Sequence, residues 1–115
     1  MLLIRDQQRV AMARVALPKW IANHLQQFFP RECAALGDAG LRDRVREGIA
    51  RAAAHGFETE IHISQYVDLM FVFGTDFDTD SALAWPQPIL SDRTISAAER
   101  MDRLLDAGRR HGQEA

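Results

Sequence analysis

The sequence predicts an all-α protein: a compact single-domain bundle of about five helices around a central apolar helix at about residues 60–73, with a long structured loop at about 75–92. Three observations carry this expectation. Apolar side chains recur at helical spacing along most of the chain, with glycine, proline and capping residues at the breaks. The segment 60–73 is apolar over most of its circumference, as a helix covered by others must be. The chain has 115 residues, 47% of them apolar and 26% charged, which is the balance of one soluble domain and too little for two.

Each element follows from local chemistry. Residues 4–16 are rich in Arg, Gln and Ala and read as a first helix. Pro18 suits the first turn of a second helix over about 18–29, because its missing N–H has no intrahelical partner there. On that helix Trp20, Ile21, His24, Leu25, Phe28 and Phe29 share one broad face, read as an aromatic core anchor, and Pro30 ends the run. Gly37 and Gly40 punctuate the chain before a third helix at about 39–55, whose buried stripe is Leu41, Val45, Gly48, Ile49 and Ala52. Gly56 fits the left-handed position that closes it, and Gly48 and Ala52 permit close approach of a neighbour. Thr59 is the expected N-cap and Gly74 the expected C-cap of the central helix, with Ser64, Gln65 and Asp68 as its polar arc.

The loop 75–92 has no helical period, allows a short helical turn at 81–84, and is pinned by Phe77, Leu83, Trp85, Ile89 and Leu90. Ser96 with Glu99 forms a capping-box pattern that opens a last helix running to about residue 110. Its narrow stripe of Ala97, Met101, Leu104, Leu105 and Gly108 suits a peripheral helix or one that meets a partner, so a homodimer is open.

Charge is unevenly spread. Residues 1–56 carry nine Lys and Arg against five Asp and Glu, whereas residues 57–115 carry five against eleven, and none of residues 57–92 is Lys or Arg. A net charge of −2 argues against nucleic acid as a partner, since nonspecific binding needs a concentrated basic surface. The longest apolar run, 69–73, is far short of the roughly 20 residues of a membrane span, so no membrane partner is expected. Met1-Leu2-Leu3-Ile4 meets Arg5 and Asp6 at once, without a signal-peptide pattern, which predicts a cytoplasmic protein. The single cysteine, Cys33, makes no internal disulfide.

Few constellations point to catalysis. Asp76, Asp78 and Asp80 have the alternation with which calcium loops begin, but Ser81 stands where the turn needs Gly and Gln87 where a bidentate Glu is expected. Asx turns are the simpler account. Cys33 with a distant histidine lacks any local activating group and reads as a half-buried thiol in a linker. His24 reads as a packed core histidine and His55 as a helix C-terminal cap. His62 and Ser64 point apart on a helix, so a triad with Asp68 fails. Asp68 itself, alone in an apolar helix, calls for a partner, for which the arginines of the first and third helices are at hand; a partly solvated polar arc or an exposed contact with a partner protein are the alternatives. The sequence therefore predicts no enzyme, no catalytic residue, no cofactor and no metal.

The run 66–78, YVDLMFVFGTDFD, followed by Trp85, Ile89, Leu90 and RMDRL at 100–104, resembles small helical accessory proteins encoded in bacterial type VI secretion effector loci beside adaptor chaperones. Phe29-Pro30-Arg31, Leu36, Gly37 and Leu41 fit the same pattern, so the resemblance spans about 28–106. It implies a co-chaperone or adaptor-type role with a protein partner, either the secreted effector or the adaptor that carries it. A preference for Arg over Lys of thirteen to one is compatible with a GC-rich bacterial genome.

The expected function is thus a noncatalytic protein-binding accessory factor that loads or stabilises an effector. Its candidate protein-binding residues are Asp76, Phe77, Asp78, Asp80 and Trp85 on the loop. A competing reading has Phe77 and Trp85 pinning the loop to the protein's own core. Alternatives are an immunity protein whose acidic 57–92 stretch meets a basic toxin, or a small metal-binding or enzymatic domain built on Asp76, Asp78 and Asp80.

Overall fold

The computed structural model describes residues 16–114, so the expected helix over 4–16 lies outside the described residues apart from Ala16. Among the described residues there are five helices and no strand: α1 (residues 16–28), α2 (Pro30–Ala54), α3 (Glu60–Phe73), α4 (Pro86–Leu90) and α5 (Ala97–Glu114). Helix α3 packs against both α2 and α5, and α4 packs against α5. This is the all-α bundle with a central apolar helix that the sequence predicts.

Helix α1 stops before Pro30, as expected, but Pro30 also opens the next helix. Phe29 leaves helical geometry at φ −131° and ψ 57°, its N–H still bonding Leu25, and Pro30 is the first residue of α2. A proline is tolerated there because the first N–H of a helix has no intrahelical acceptor in any case. Cys33 is therefore buried inside a helix and is not part of a linker. Burial, and to a lesser degree Glu32, pushes its thiol above the ordinary range, away from nucleophilic character. Helix α2 kinks at Gly37, where φ of 73° and ψ of 172° interrupt the helical path.

The second limb of α2 buries Leu41, Val45, Gly48 and Ala52, the stripe read from the sequence, with Ile49 half-buried. Gly48 is the crossing point with α3. A Cβ there would lie 2.6 Å from a Val67 methyl and 3.2 Å from the Met70 sulfur, so the two backbones approach only because the side chain is absent. The limb ends in a Schellman closure: Gly56 N–H bonds Ala53, Phe57 N–H bonds Ala52, and Gly56 takes φ of 88°. Phe57, delivered by that turn, is fully buried.

Helix α3 has the expected ends. The Thr59 side chain accepts from the His62 N–H, and Gly74 closes the helix at φ of 110°. Ile63, Ser64, Tyr66, Val67, Leu69 and Met70 are buried; Ser64, expected on a polar arc, is inside. The short helix after it occupies Pro86–Leu90 and not residues 81–84. Pro86 and Pro88 read as breakers in sequence, yet both sit in its first turn, where N–H groups are not needed. Glu99 N–H bonds the Ser96 hydroxyl at 3.1 Å as the capping pattern predicts. Met101 and Leu104 are fully buried, and Gly108 lies against the Phe73 ring, so the stripe of α5 is satisfied within the chain.

Helix α1 departs most from expectation. Ile21 and Leu25 enter the core, but Trp20 and Phe28 remain 48% and 62% exposed, so the broad aromatic face is not a core anchor. A stripe that broad exceeds what one neighbouring helix can cover, and the aliphatic edge of it was buried instead.

Candidate functional site

Two polar clusters organise the surface. The first ties the exit loop of α3 to the end of α2. Arg51, on the last turn of α2, donates to Asp76 at 2.6 Å and to Asp78 at 3.2 Å, and also meets Glu47 one turn back. His55, the C-cap of the same helix, donates from Nε2 to the other Asp78 oxygen at 2.9 Å. The Gln87 amide donates to the Asp78 backbone carbonyl at 2.6 Å. Arg44 donates to the Thr75 hydroxyl. Burial would raise the Asp78 pKa, but the His55 hydrogen bond and the Arg51 charge outweigh it and hold the carboxyl below its ordinary range.

Behind this pair lies Tyr66, fully buried, its ring 5.6 Å from His55 and 5.1 Å from Phe77. Its hydroxyl lies close enough to Asp78 to feel the carboxylate. Burial first, and then Asp78, pushes the phenol far above its ordinary range, which keeps it a neutral spacer.

The five residues expected to bind a partner divide sharply. Phe77 is fully buried among Tyr66 and Trp85, the place the competing reading gives it, and Asp78 is buried with its carboxylate bonded to Arg51 and His55. Trp85 is half-buried, edge-on to Phe73 at 5.1 Å and near His111. Asp76 stays exposed although bonded to Arg51, and exposed Asp80 accepts from the Ala82 N–H at 2.9 Å, an Asx turn. The structure thus joins Asp76 with Asp78 through Arg51 and leaves Asp80 apart. Among the described residues no three His, Cys, Asp or Glu side chains converge as for a metal ion, and no helix is long and apolar enough to cross a membrane.

Arg100 escaped sequence reading. It is buried, donates to the His55 carbonyl at 2.6 Å, and stacks over Phe57 with its guanidinium carbon 5.3 Å from the ring centroid. Gly56 makes room for it, since a Cβ there would lie 3.1 Å from the guanidinium. The available signal was position: Arg100 falls three residues after Ala97 and four before Leu104, on the buried stripe of α5.

The second cluster joins α1 to α3. His24 donates from Nε2 to both Asp68 oxygens, at 2.9 and 3.2 Å, so the partner of Asp68 is this histidine and not the arginine expected. Trp20 stacks over His24 and Phe28 packs on its other side, at centroid distances of 6.2 and 4.8 Å. On α3, Ile61, Gln65, Asp68 and Val72 fall within about 60° of arc at 3.6 residues per turn. Ile61 and Val72 are each 58% exposed. The four most exposed large hydrophobic side chains among the described residues, Trp20, Phe28, Ile61 and Val72, therefore lie on two stripes stapled together by one His–Asp pair.

Burial raises the Asp68 pKa, and His24 only partly offsets it. A carboxyl whose folded pKa lies above its unfolded value contributes stability below the ordinary carboxylate pKa of about 3.9 and loses it as pH rises through the folded value. Asp68→Asn, which keeps an acceptor for His24, is accordingly expected to raise the melting temperature at neutral pH, and the gain should vanish in acid. Thermal melts of both proteins across that range check the crossing.

Comparison with known protein families, with curated proteins and with solved structures finds no match for this chain.

Proposed function

We propose that this chain is a noncatalytic protein-binding accessory factor that docks its partner on the α1–α3 face. One observation carries the reading: Trp20, Phe28, Ile61 and Val72, large and apolar, lie open on two adjoining stripes held in register by His24–Asp68. Aromatic side chains left outside a core of this size, grouped and rimmed by polar groups, have the composition of an interface hot spot. Tryptophan and phenylalanine supply large contact area with few rotatable bonds, so ordering them on binding costs little entropy.

The resemblance carried by residues 66–78 and 100–104 assigns the partner in this proposal: a type VI secretion effector, or the adaptor chaperone that carries it, held in the cytoplasm until delivery. The acidic loop plays a lesser part than its composition suggested, because Asp78 is bonded internally and Asp76 shares Arg51.

The test is copurification of the tagged chain with each product of its effector locus. Wild type should retain the effector or its adaptor, and Trp20→Ser with Phe28→Ser should lose it while melting at an unchanged temperature. Each truncation is expected to weaken binding by about 2 kcal/mol, the usual threshold of a hot spot. Retention by the double variant would sink the α1–α3 reading. Rescue of growth upon coexpression with the toxin, with delivery unaffected by deletion, would transfer the protein to the immunity class.

A further inference from the structure

On the flank of α1 away from Trp20 and Phe28 lies a groove of about 360 Å³ between α1 and the second limb of α2. Its accessible apolar wall is Pro18 and Ala22, closed beneath by the buried Val45, and its rim carries three cations, Lys19, Arg42 and Arg46. Among the described residues no carboxylate pairs with any of the three. The contrast with their neighbours is sharp: Arg44 and Arg51, on the side of α2 that meets the exit loop, are both engaged. Arg42 and Arg46 stand one turn apart on the helix, so one segment laid along the groove can meet both.

We propose that this groove binds an acidic amphipathic segment of a protein partner, with an aliphatic side chain against Pro18 and Ala22 and flanking carboxylates on Lys19, Arg42 and Arg46. The charge pattern selects the occupant. Nucleic acid affinity rises with the number of phosphates neutralised, and three cations on a chain of net charge −2 neutralise few. The groove is open to solvent, whereas a small amphiphile needs a pocket that encloses most of its surface. A peptide, which brings its own backbone to cover the apolar wall, meets both conditions. The surface is separate from the aromatic stripe and adds a second contact to the binding protein proposed above.

The probe is a fluorescein-labelled peptide with Leu at i and i+4 and Glu beside them, followed by anisotropy against the full chain. Binding should weaken at least about tenfold when NaCl rises from about 0.05 to about 0.5 M, because exposed charges are then screened. Arg42→Glu with Arg46→Glu should abolish it, and the milder Arg42→Gln with Arg46→Gln should weaken it with an unchanged melting curve. Trp20→Ser with Phe28→Ser should retain it. The proposal is overturned if the Glu peptide does not bind, if a Leu/Lys peptide binds equally well, or if both arginine variants bind like wild type. Binding of laurate without binding of the peptide would also overturn it, and loss of the peptide in the Trp20/Phe28 variant would place the contact on the aromatic stripe.

Discussion

Phe77→Ala is expected to cost about 3–5 kcal/mol of folding stability, the range for deleting a buried phenylalanine ring. The ring is fully buried, stacked near Tyr66 and Trp85 in the layer between α3 and the exit loop. Its removal leaves a cavity at the place where the loop is anchored, and little around it can collapse: Tyr66 is held by Phe57 and His55, and Trp85 by Phe73 and His111. Domains of this size have about 5–15 kcal/mol in total, so the variant should melt well below wild type. The measurement is a denaturant titration with a partner-binding assay at a temperature where both proteins are folded. An unchanged melting curve with loss of partner binding would restore Phe77 as a contact residue and contradict its place in the core.

The second large effect belongs to Asp78. Asp78→Asn removes the negative charge that His55 and Arg51 share, while keeping the side chain's size. Hydrogen bonds to charged groups contribute about 1.5–3 kcal/mol, and the loss should lie in that range because Arg51 keeps Asp76 and Glu47. The same residue gives the protein an acid-sensitive contribution. Its carboxyl is held below the ordinary value, so its stabilisation is complete above the unfolded carboxylate pKa of about 3.9 and is lost as pH falls through the lower folded value. Wild type should therefore lose its advantage over Asp78→Asn between roughly pH 4 and the acid limit of the lowered titration. Parallel acid-stability curves for the two proteins would show that the Arg51–Asp78–His55 cluster is not coupled to folding.

Asp78 and Asp68 titrate in opposite senses for one reason each. Asp78 has the Arg51 guanidinium and the His55 ring on its two oxygens, which outweigh its desolvation, whereas Asp68 has one histidine that does not outweigh its own. A carboxylate's contribution is decided by the count and geometry of its partners, and neither is written in the spacing of a single helix.

Where a signal is local, the sequence was easy to read. Thr59 and Gly74 bracket α3, Ser96 and Glu99 open α5, and Gly56 closes α2, because a cap is made by residues within one turn of each other. The stripe Leu41, Val45, Gly48 and Ala52 was readable for the same reason, since helical periodicity alone places it on one face. Proline was ambiguous: Pro30, Pro86 and Pro88 can stop a helix or begin one, and the choice depends on which path the backbone takes past them. The loop was readable as a segment, but which of its side chains face inward was not. The loop 75–92 does hold the Arg51 cluster, but Phe77 and Asp78 face inward, while Trp20 and Phe28, whose helical spacing reads as a core face, are exposed.

Composition, caps and periodicity, all properties of neighbours along the chain, were enough to establish an all-α bundle, the limits of its central helix and the uneven charge of its two halves. Only the packing of helices far apart in sequence decided that His24 would hold Asp68, that Arg51 and His55 would hold Asp78, and that Trp20 and Phe28 would be left in water. A helix offers more apolar surface than its neighbours can cover, so which part is buried is settled by the neighbours, and with it which part is left to bind.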